Sequence, residues 1–205
     1  MIRGKSDSLY LQLCDRYHDI VAERDSSLPM SPMRRLREDY LEQKNFCEEP
    51  RRRGKILEGF LRRLASIADL KVTKDFTRSQ GGEQIDGGFK YDGYSFIVEC
   101  KWEVTPNPRN EVNVFIGKVG NSGGMTMGLF ISINGYSKHC AYELQRNNDS
   151  ASQRIILMDG GEFEAILDRR ISFSALLEAK MDHLSLEGEH FYSVTNALKE
   201  GSRFK

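Results

Sequence analysis

Neither sign of charge dominates this sequence: Lys and Arg together number 30, and so do Asp and Glu. No global field announces a polyanionic partner, so any attraction for nucleic acid has to come from a local patch. Long apolar runs are also missing. No stretch approaches the roughly 20 residues that span a bilayer, and the opening MIRGKSDS lacks the apolar centre of a signal peptide, so a cytoplasmic protein with no membrane partner is expected. Cysteine is scarce and scattered. Cys14, Cys47, Cys100 and Cys140 form no C-x-x-C pair, which argues against a zinc ribbon and against a disulfide framework. The glycines of GNSGGMTMG have no G-x-x-x-x-G-K-[ST] context, so neither a nucleotide cofactor nor an ATPase motor is expected. There is no internal repeat and no low-complexity tract.

What is present suits an ordinary globular chain of 205 residues, 39% hydrophobic and 29% charged, large enough to bury a core without staples. Residues 8–24 and the segment MRRLREDYLEQKNF carry helical apolar spacing, with Ser31 and Pro32 as N-cap and first turn of the second helix. The string EEPRRRGK reads as a boundary, because Pro50 disfavours a helical residue before it and the basic run is expected to be solvated. Residues 1–50 are therefore expected to form a helical extension, 51–168 the main domain and 169–205 a helical tail. Within the main domain, ILEGFLRRLASIADL is a helix and KVTKDFT a short strand with Val72 and Phe76 alternating. Residues 84–91 and 94–102 are strands joined by Asp92-Gly93, a two-residue connection that favours a type I′ hairpin. A helix around Val112–Val119, the strand GLFISI, the strand RIILM and the helix DGGEFEAIL follow. Strands alternating with helices after a hairpin imply an α/β sandwich with a mixed sheet covered on both faces.

The hairpin sorts its own chemistry. With Asp92-Gly93 as the turn, Tyr91, Phe89, Gly87 and Ile85 face Tyr94, Phe96, Val98 and Cys100, which makes one face apolar. The other face sets Gln84 opposite Lys101 and Asp86 opposite Glu99. Like charges directly opposed, about 4.5–5.5 Å apart at Cβ, are destabilising unless something positive lies between them. A divalent cation suits: Mg²⁺ takes oxygen ligands, is held by one or two carboxylates, and keeps positions for water and phosphate oxygens. Lys101, one strand step beyond Glu99, then stands beside the attacked phosphate. E-x-K alone also fits a strand with one solvated face, and a bulge would break the register.

The ordered set of Glu58 on a helix, QIDGGF with Asp86, and VECKW with Glu99 and Lys101 resembles the PD-(D/E)xK nuclease superfamily, in its Mrr-like restriction endonuclease branch. GKVGNSGGMTMGLFISINGYS and RIILMDGGEFEAIL resemble the elements that follow the active site there, so the resemblance covers about residues 51–168. It implies a restriction-endonuclease-like α/β/α sandwich with a mixed central sheet, flanked by N- and C-terminal helices. It also implies an endonuclease that hydrolyses DNA with Mg²⁺, with Mn²⁺ able to substitute. Asp86, Glu99 and the Cys100 backbone carbonyl would be metal ligands, and Lys101 would position or activate the attacking water. Glu58 would support the metal directly or through water, although it lies beside the apolar stripe of its helix, where a solvated carboxylate is equally at home. Ile85-Asp86 stands where the family name writes proline and aspartate; the metal needs only the carboxylate.

Further candidates for nucleic-acid contact are Gln84, Lys118, Arg51, Arg52, Arg53 and Lys55. Each also fits an ordinary solvated side chain. Cys14 and His18 sit one helical turn apart with no partner pair, so a packed helix is preferred to a metal site. The expected partner is DNA, with a homodimer and a further protein supplying targeting or a motor as additional expectations, and with defence against foreign DNA as the biological setting. Two alternatives stay open: a non-catalytic DNA-binding or assembly module of a larger complex, and a structure-selective nuclease of the junction-resolving kind.

Overall fold

The computed structural model describes residues 30–46, 50–73, 76–77, 84–85, 87–138, 140 and 154–201. The expected helix at 8–24, with Cys14 and His18, lies outside the described residues, as do Cys47 and Asp86. The described elements are α1 (Pro32–Phe46), α2 (Pro50–Ile67), β1 (Lys71–Thr73), β2 (Phe76–Thr77), β3 (Gln84–Ile85), β4 (Gly87–Tyr91), β5 (Tyr94–Lys101) and α3 (Arg109–Gly120). They continue with β6 (Thr126–Ser132), β7 (Ile155–Asp159), α4 (Gly160–Leu167), α5 (Phe173–Glu187) and α6 (Val194–Lys199). Among the described residues, no helix is long and apolar enough to cross a membrane.

Five strands form one mixed sheet in the order β1-β4-β5-β6-β7. β1 and β5 run antiparallel to β4, and β5, β6 and β7 run parallel. The hairpin register is the one the Asp92-Gly93 turn dictates, from Tyr91↔Tyr94 through Phe89↔Phe96 to Gly87↔Val98. Both turn residues have positive φ, 46° at Asp92 and 77° at Gly93, as a type I′ turn requires.

The alternation of β5 divides the core. Phe96, Val98 and Cys100 join Leu129, Ile131, Ile156 and Met158 in a large cluster under the flanking helices, where Leu36, Tyr40, Leu57, Leu64, Phe163, Leu176 and Leu177 are buried. On the opposite face Ile97, Phe130, Ile155 and Leu157 pack against Val112, Phe115 and Val119 of α3. β6, covered on both faces, is accordingly apolar at almost every position. The mixed sheet with helices on both sides is the α/β/α sandwich expected from the sequence.

Four details depart from expectation. KVTKDFT is not one strand: Lys71–Thr73 joins the main sheet beside β4, whereas Phe76–Thr77 pairs with Gln84–Ile85 in a separate two-stranded sheet. Gln84 therefore pairs with Thr77 rather than Lys101, and Ile85 with Phe76 rather than Cys100. Among the described residues the β4–β5 ladder runs to Gly87↔Val98, and the backbone groups of 84–85 find their partners on β2. The helix expected from Lys55 starts earlier: the basic run, with Arg52 and Lys55 exposed, is already the opening of α2, with Pro50 at the first helical position, where its missing N–H costs nothing.

The terminal elements share the one core. From α1, the Tyr40 hydroxyl donates to Glu164 at 3.1 Å and its ring stacks on Trp102. Burial, followed by the neighbouring Glu164, pushes that hydroxyl far above the ordinary tyrosine range, so it stays a donor. From α5, Lys180 reaches a fully buried ion pair with Glu162 at 2.8 Å, their side chains 1% and 0% exposed. Lys180 also donates to the Tyr192 carbonyl, and Glu162 accepts from the backbone N–H groups of Asp159 and Val194. The tail then runs beside β7: Leu157 N–H donates to the His190 carbonyl, and the His190 ring lies 3.0 Å from the Ile155 carbonyl.

Candidate active site

Glu99 and Lys101 follow from the pleat. Phe96, Val98 and Cys100 turn into the larger core, so Glu99 and Lys101 turn to the other face, towards α3. They stand at the C-terminal end of β5, where parallel strands of open α/β sheets commonly present ligand sites. α3 supplies two partners. Lys118 Nζ lies 2.7 Å from Glu99 Oε2, and Lys101 Nζ lies 3.4 Å from Glu99 Oε1 and 3.3 Å from Glu111 Oε2. The last contact is an ion pair that falls short of hydrogen-bond geometry. With Glu99 13% exposed, Lys118 17% and Lys101 27%, this is a partly buried cluster of two carboxylates and two ammonium groups. Burial acts to lower the Lys101 pKa, but Glu99 and then Glu111 outweigh it and hold the group above the ordinary lysine value.

The placement of α3 is firmly determined. Gly128 on β6 lets the helix approach so closely that an added Cβ would lie 2.7 Å from Val119 Cγ2 and 2.8 Å from Phe115 Cε1. At the far end of the helix, Arg154 donates to the carbonyls of Val119, Gly123 and Thr126. On the loop before α3, the Asn107 amide donates to Ser132 Oγ at 2.7 Å, and Ser132 is the β6 residue paired with Lys101. The strand carrying Lys101 and the loop leading to Glu111 are thus tied to the same point on β6.

The expected residues fall into groups. Glu99, Lys101 and Lys118 come together; Lys118 is ion-paired inside the cluster instead of reaching out as a solvated lysine. Glu58 meets β5 from the other face, lining a cavity of about 20 Å³ with Gly87, Gly88, Val98 and Cys100. α2 passes close to the Cys100 carbonyl there: a Cβ on Gly54 would lie 3.8 Å from that oxygen. Arg52 and Lys55 are exposed and Arg53 half-buried along the first turns of α2, which Arg51 also joins. Gln84 belongs by backbone pairing to the small second sheet. Glu111 was missed by sequence reasoning. Its signal was available, since Glu111 and Lys118 are seven positions apart, which returns to within about 20° of the same helix face.

Glu99 and the Cys100 carbonyl are oxygen donors of the kind a divalent cation accepts, and both oxygens of Glu99 face lysine ammonium groups, at 3.4 Å and 2.7 Å.

A restriction endonuclease family model, Mrr_cat, matches residues 53–167. Among solved structures, the chain is similar to the MspJI restriction endonuclease in complex with a 27-mer oligonucleotide, at 14% identity and a TM-score of 0.39. That similarity covers 78% of this chain but 36% of the other, so the chain spans about a third of that protein's length. No curated protein matches the sequence. The family match takes in α2 from Arg53 onward, the whole five-stranded sheet, α3 and α4, more than half of the chain, and on that basis this protein belongs to the Mrr-like restriction endonuclease branch of the PD-(D/E)xK nucleases.

Proposed function

We propose that this protein is a metal-dependent endonuclease that hydrolyses DNA phosphodiester bonds. The observation that carries the reading is the Glu99–Lys101 pair, turned out of the core at the end of β5 in a chain of this family. In this reading Asp86, Glu99 and the Cys100 carbonyl hold Mg²⁺, for which Mn²⁺ can substitute, and Glu58 supports the site from the α2 side, through water. The cation, when bound, neutralises charge on the scissile phosphate and lowers the pKa of water.

The chain's own groups do the remainder. Lys101 stays cationic between two carboxylates, so its part is to orient the attacking water or an equatorial phosphate oxygen by charge and hydrogen bonding rather than to remove a proton. Arg51, Arg52, Arg53 and Lys55 follow the DNA backbone by charge, with Gln84 at the edge of the path. Two strands need two active sites, which makes a homodimer the working assembly, and restriction of foreign DNA in the cytoplasm is the setting this chemistry suits. A partner protein would supply targeting.

The test is plasmid DNA incubated with purified protein in Mg²⁺, Mn²⁺ or EDTA, beside folded Asp86→Ala, Glu99→Ala and Lys101→Ala variants. Metal-dependent nicking that every variant loses is the expected result. Wild-type protein that binds DNA but never cuts it under any metal would replace this reading with that of a non-catalytic binding module. Cleavage confined to branched or flapped DNA would mark a structure-selective nuclease.

A further inference from the structure

By its sequence position Lys118 suits a phosphate contact or an ordinary solvated lysine, yet its ammonium is directed at Glu99. The 2.7 Å contact is shorter than either contact of Lys101, and both partners are largely shielded from water. Nor is Lys118 a loosely held surface lysine. It sits in the last turn of α3, where the helix dipole favours a cation, and Arg154 and the close approach at Gly128 fix that turn. Ser122 Oγ also donates to the Lys118 carbonyl.

The carboxylate it contacts is the one that the proposed function assigns to a metal. An ammonium at 2.7 Å and a divalent cation closer still cannot both occupy the same lone-pair direction of Oε2. We propose that Lys118 is a positioning residue that serves as the built-in counter-ion of Glu99 and competes with a divalent cation for Oε2. This rests on the reading of Glu99 as a metal ligand. Without Lys118, Glu99 would face, among the described residues, a Lys101 that is shared with Glu111. Lys118 thus holds the carboxylate oriented and neutralised. Displaced from Oε2 by a divalent cation, its ammonium would stay on the face that carries Lys101, where a DNA phosphate would be its replacement partner.

The experiment is Mn²⁺ binding to the full chain, without DNA, followed by calorimetry and by the electron paramagnetic resonance of free Mn²⁺. Wild type is compared with Lys118→Gln, Lys118→Met, Lys118→Arg and Glu99→Gln. Removing one near-surface charge from the carboxylate is expected to tighten Mn²⁺ binding by about fivefold in the Gln and Met variants, with Arg restoring the wild-type affinity. Mn²⁺ should also raise the thermal midpoint of the Gln and Met variants more than that of wild type, which a merely structural lysine would not produce. In wild type, the ¹⁵Nζ resonance of Lys118 should shift on addition of diamagnetic Mg²⁺. Unchanged or weaker Mn²⁺ binding in the Gln and Met variants, or an unmoved Nζ resonance, overturns the competition while a loss of binding in Glu99→Gln leaves the metal site standing. Wild-type affinity in Glu99→Gln would remove the metal-ligand reading itself, and the proposal with it.

Discussion

Two buried or half-buried lysines in this protein illustrate how differently one side chain type is used. Lys118 stands at the edge of solvent beside Glu99, whereas Lys180 is enclosed with Glu162 behind the sheet. A buried pair contributes little net stability over an apolar replacement, but breaking one leaves a charge with no solvent. Lys180→Met is therefore expected to cost roughly 3–5 kcal/mol in urea unfolding, and Lys180→Met combined with Glu162→Gln distinctly less. The pH dependence has a definite sign. Burial pushes the Glu162 carboxyl up, and the attraction of Lys180 offsets this only in part, so the folded chain holds that proton more tightly than the unfolded one. The associated stability is fully present below the ordinary carboxylate pKa and is lost as pH rises through the elevated value. Urea midpoints measured across that window should show this slope in wild type and lose it in Glu162→Gln.

At the scale of elements, the sheet and α3 act as one mounting for the charged cluster, and Gly128 sets their separation. Gly128→Ala would press a methyl group into Val119 and Phe115, costing about 1–3 kcal/mol by overpacking. Because relief requires α3 to move outward, carrying Glu111 and Lys118 with it, cleavage activity should fall further than the urea midpoint alone predicts. At the hairpin, Gly93→Ala keeps the register but strains a φ of 77°, for about 1 kcal/mol; the same unfolding measurement reads it.

The same elements explain what the sequence made legible. Asp92-Gly93 and the aromatic pair Phe89–Phe96 specify a register by local rules, and those rules separated Glu99 and Lys101 from the core. The split of 71–77 between two sheets was not legible, since it depends on which distant strand claims each backbone group. The helix start at Pro50 was less legible for a different reason: a basic run that is exposed at Arg52 and Lys55 suits a loop as well as a first helical turn, although proline at that turn was an available signal. The meeting of Lys118 with Glu99 required the helix to be placed on the sheet, which no local pattern encodes. The face shared by Glu111 and Lys118 was readable, but only once a reason existed to look along that helix.

The whole molecule is more closely integrated than its family boundaries suggest. The matched segment ends at residue 167, yet Phe173, Leu176, Leu177, Leu184 and Val194 are buried beyond it, and Leu36 and Tyr40 before it. A fragment of residues 53–167 should therefore fail to unfold cooperatively, showing no sigmoidal urea transition, whereas residues 30–201 should show one. Restoring residues 168–201 alone is expected to recover only part of the transition, because Tyr40 and its stack on Trp102 would still be missing.

The hydrogen bonds between the tail and β7 matter beyond the single chain. β7 ends the sheet, and outward-facing backbone groups at Ile155 and Leu157 are already taken by His190. A bare parallel edge of this apolar character would be a template for strands from other molecules, the starting point of aggregation. The tail covers that stretch of the template, with the His190 carbonyl on Leu157 N–H and the His190 ring beside the Ile155 carbonyl, so strands of neighbouring copies meet a border whose central groups are already occupied.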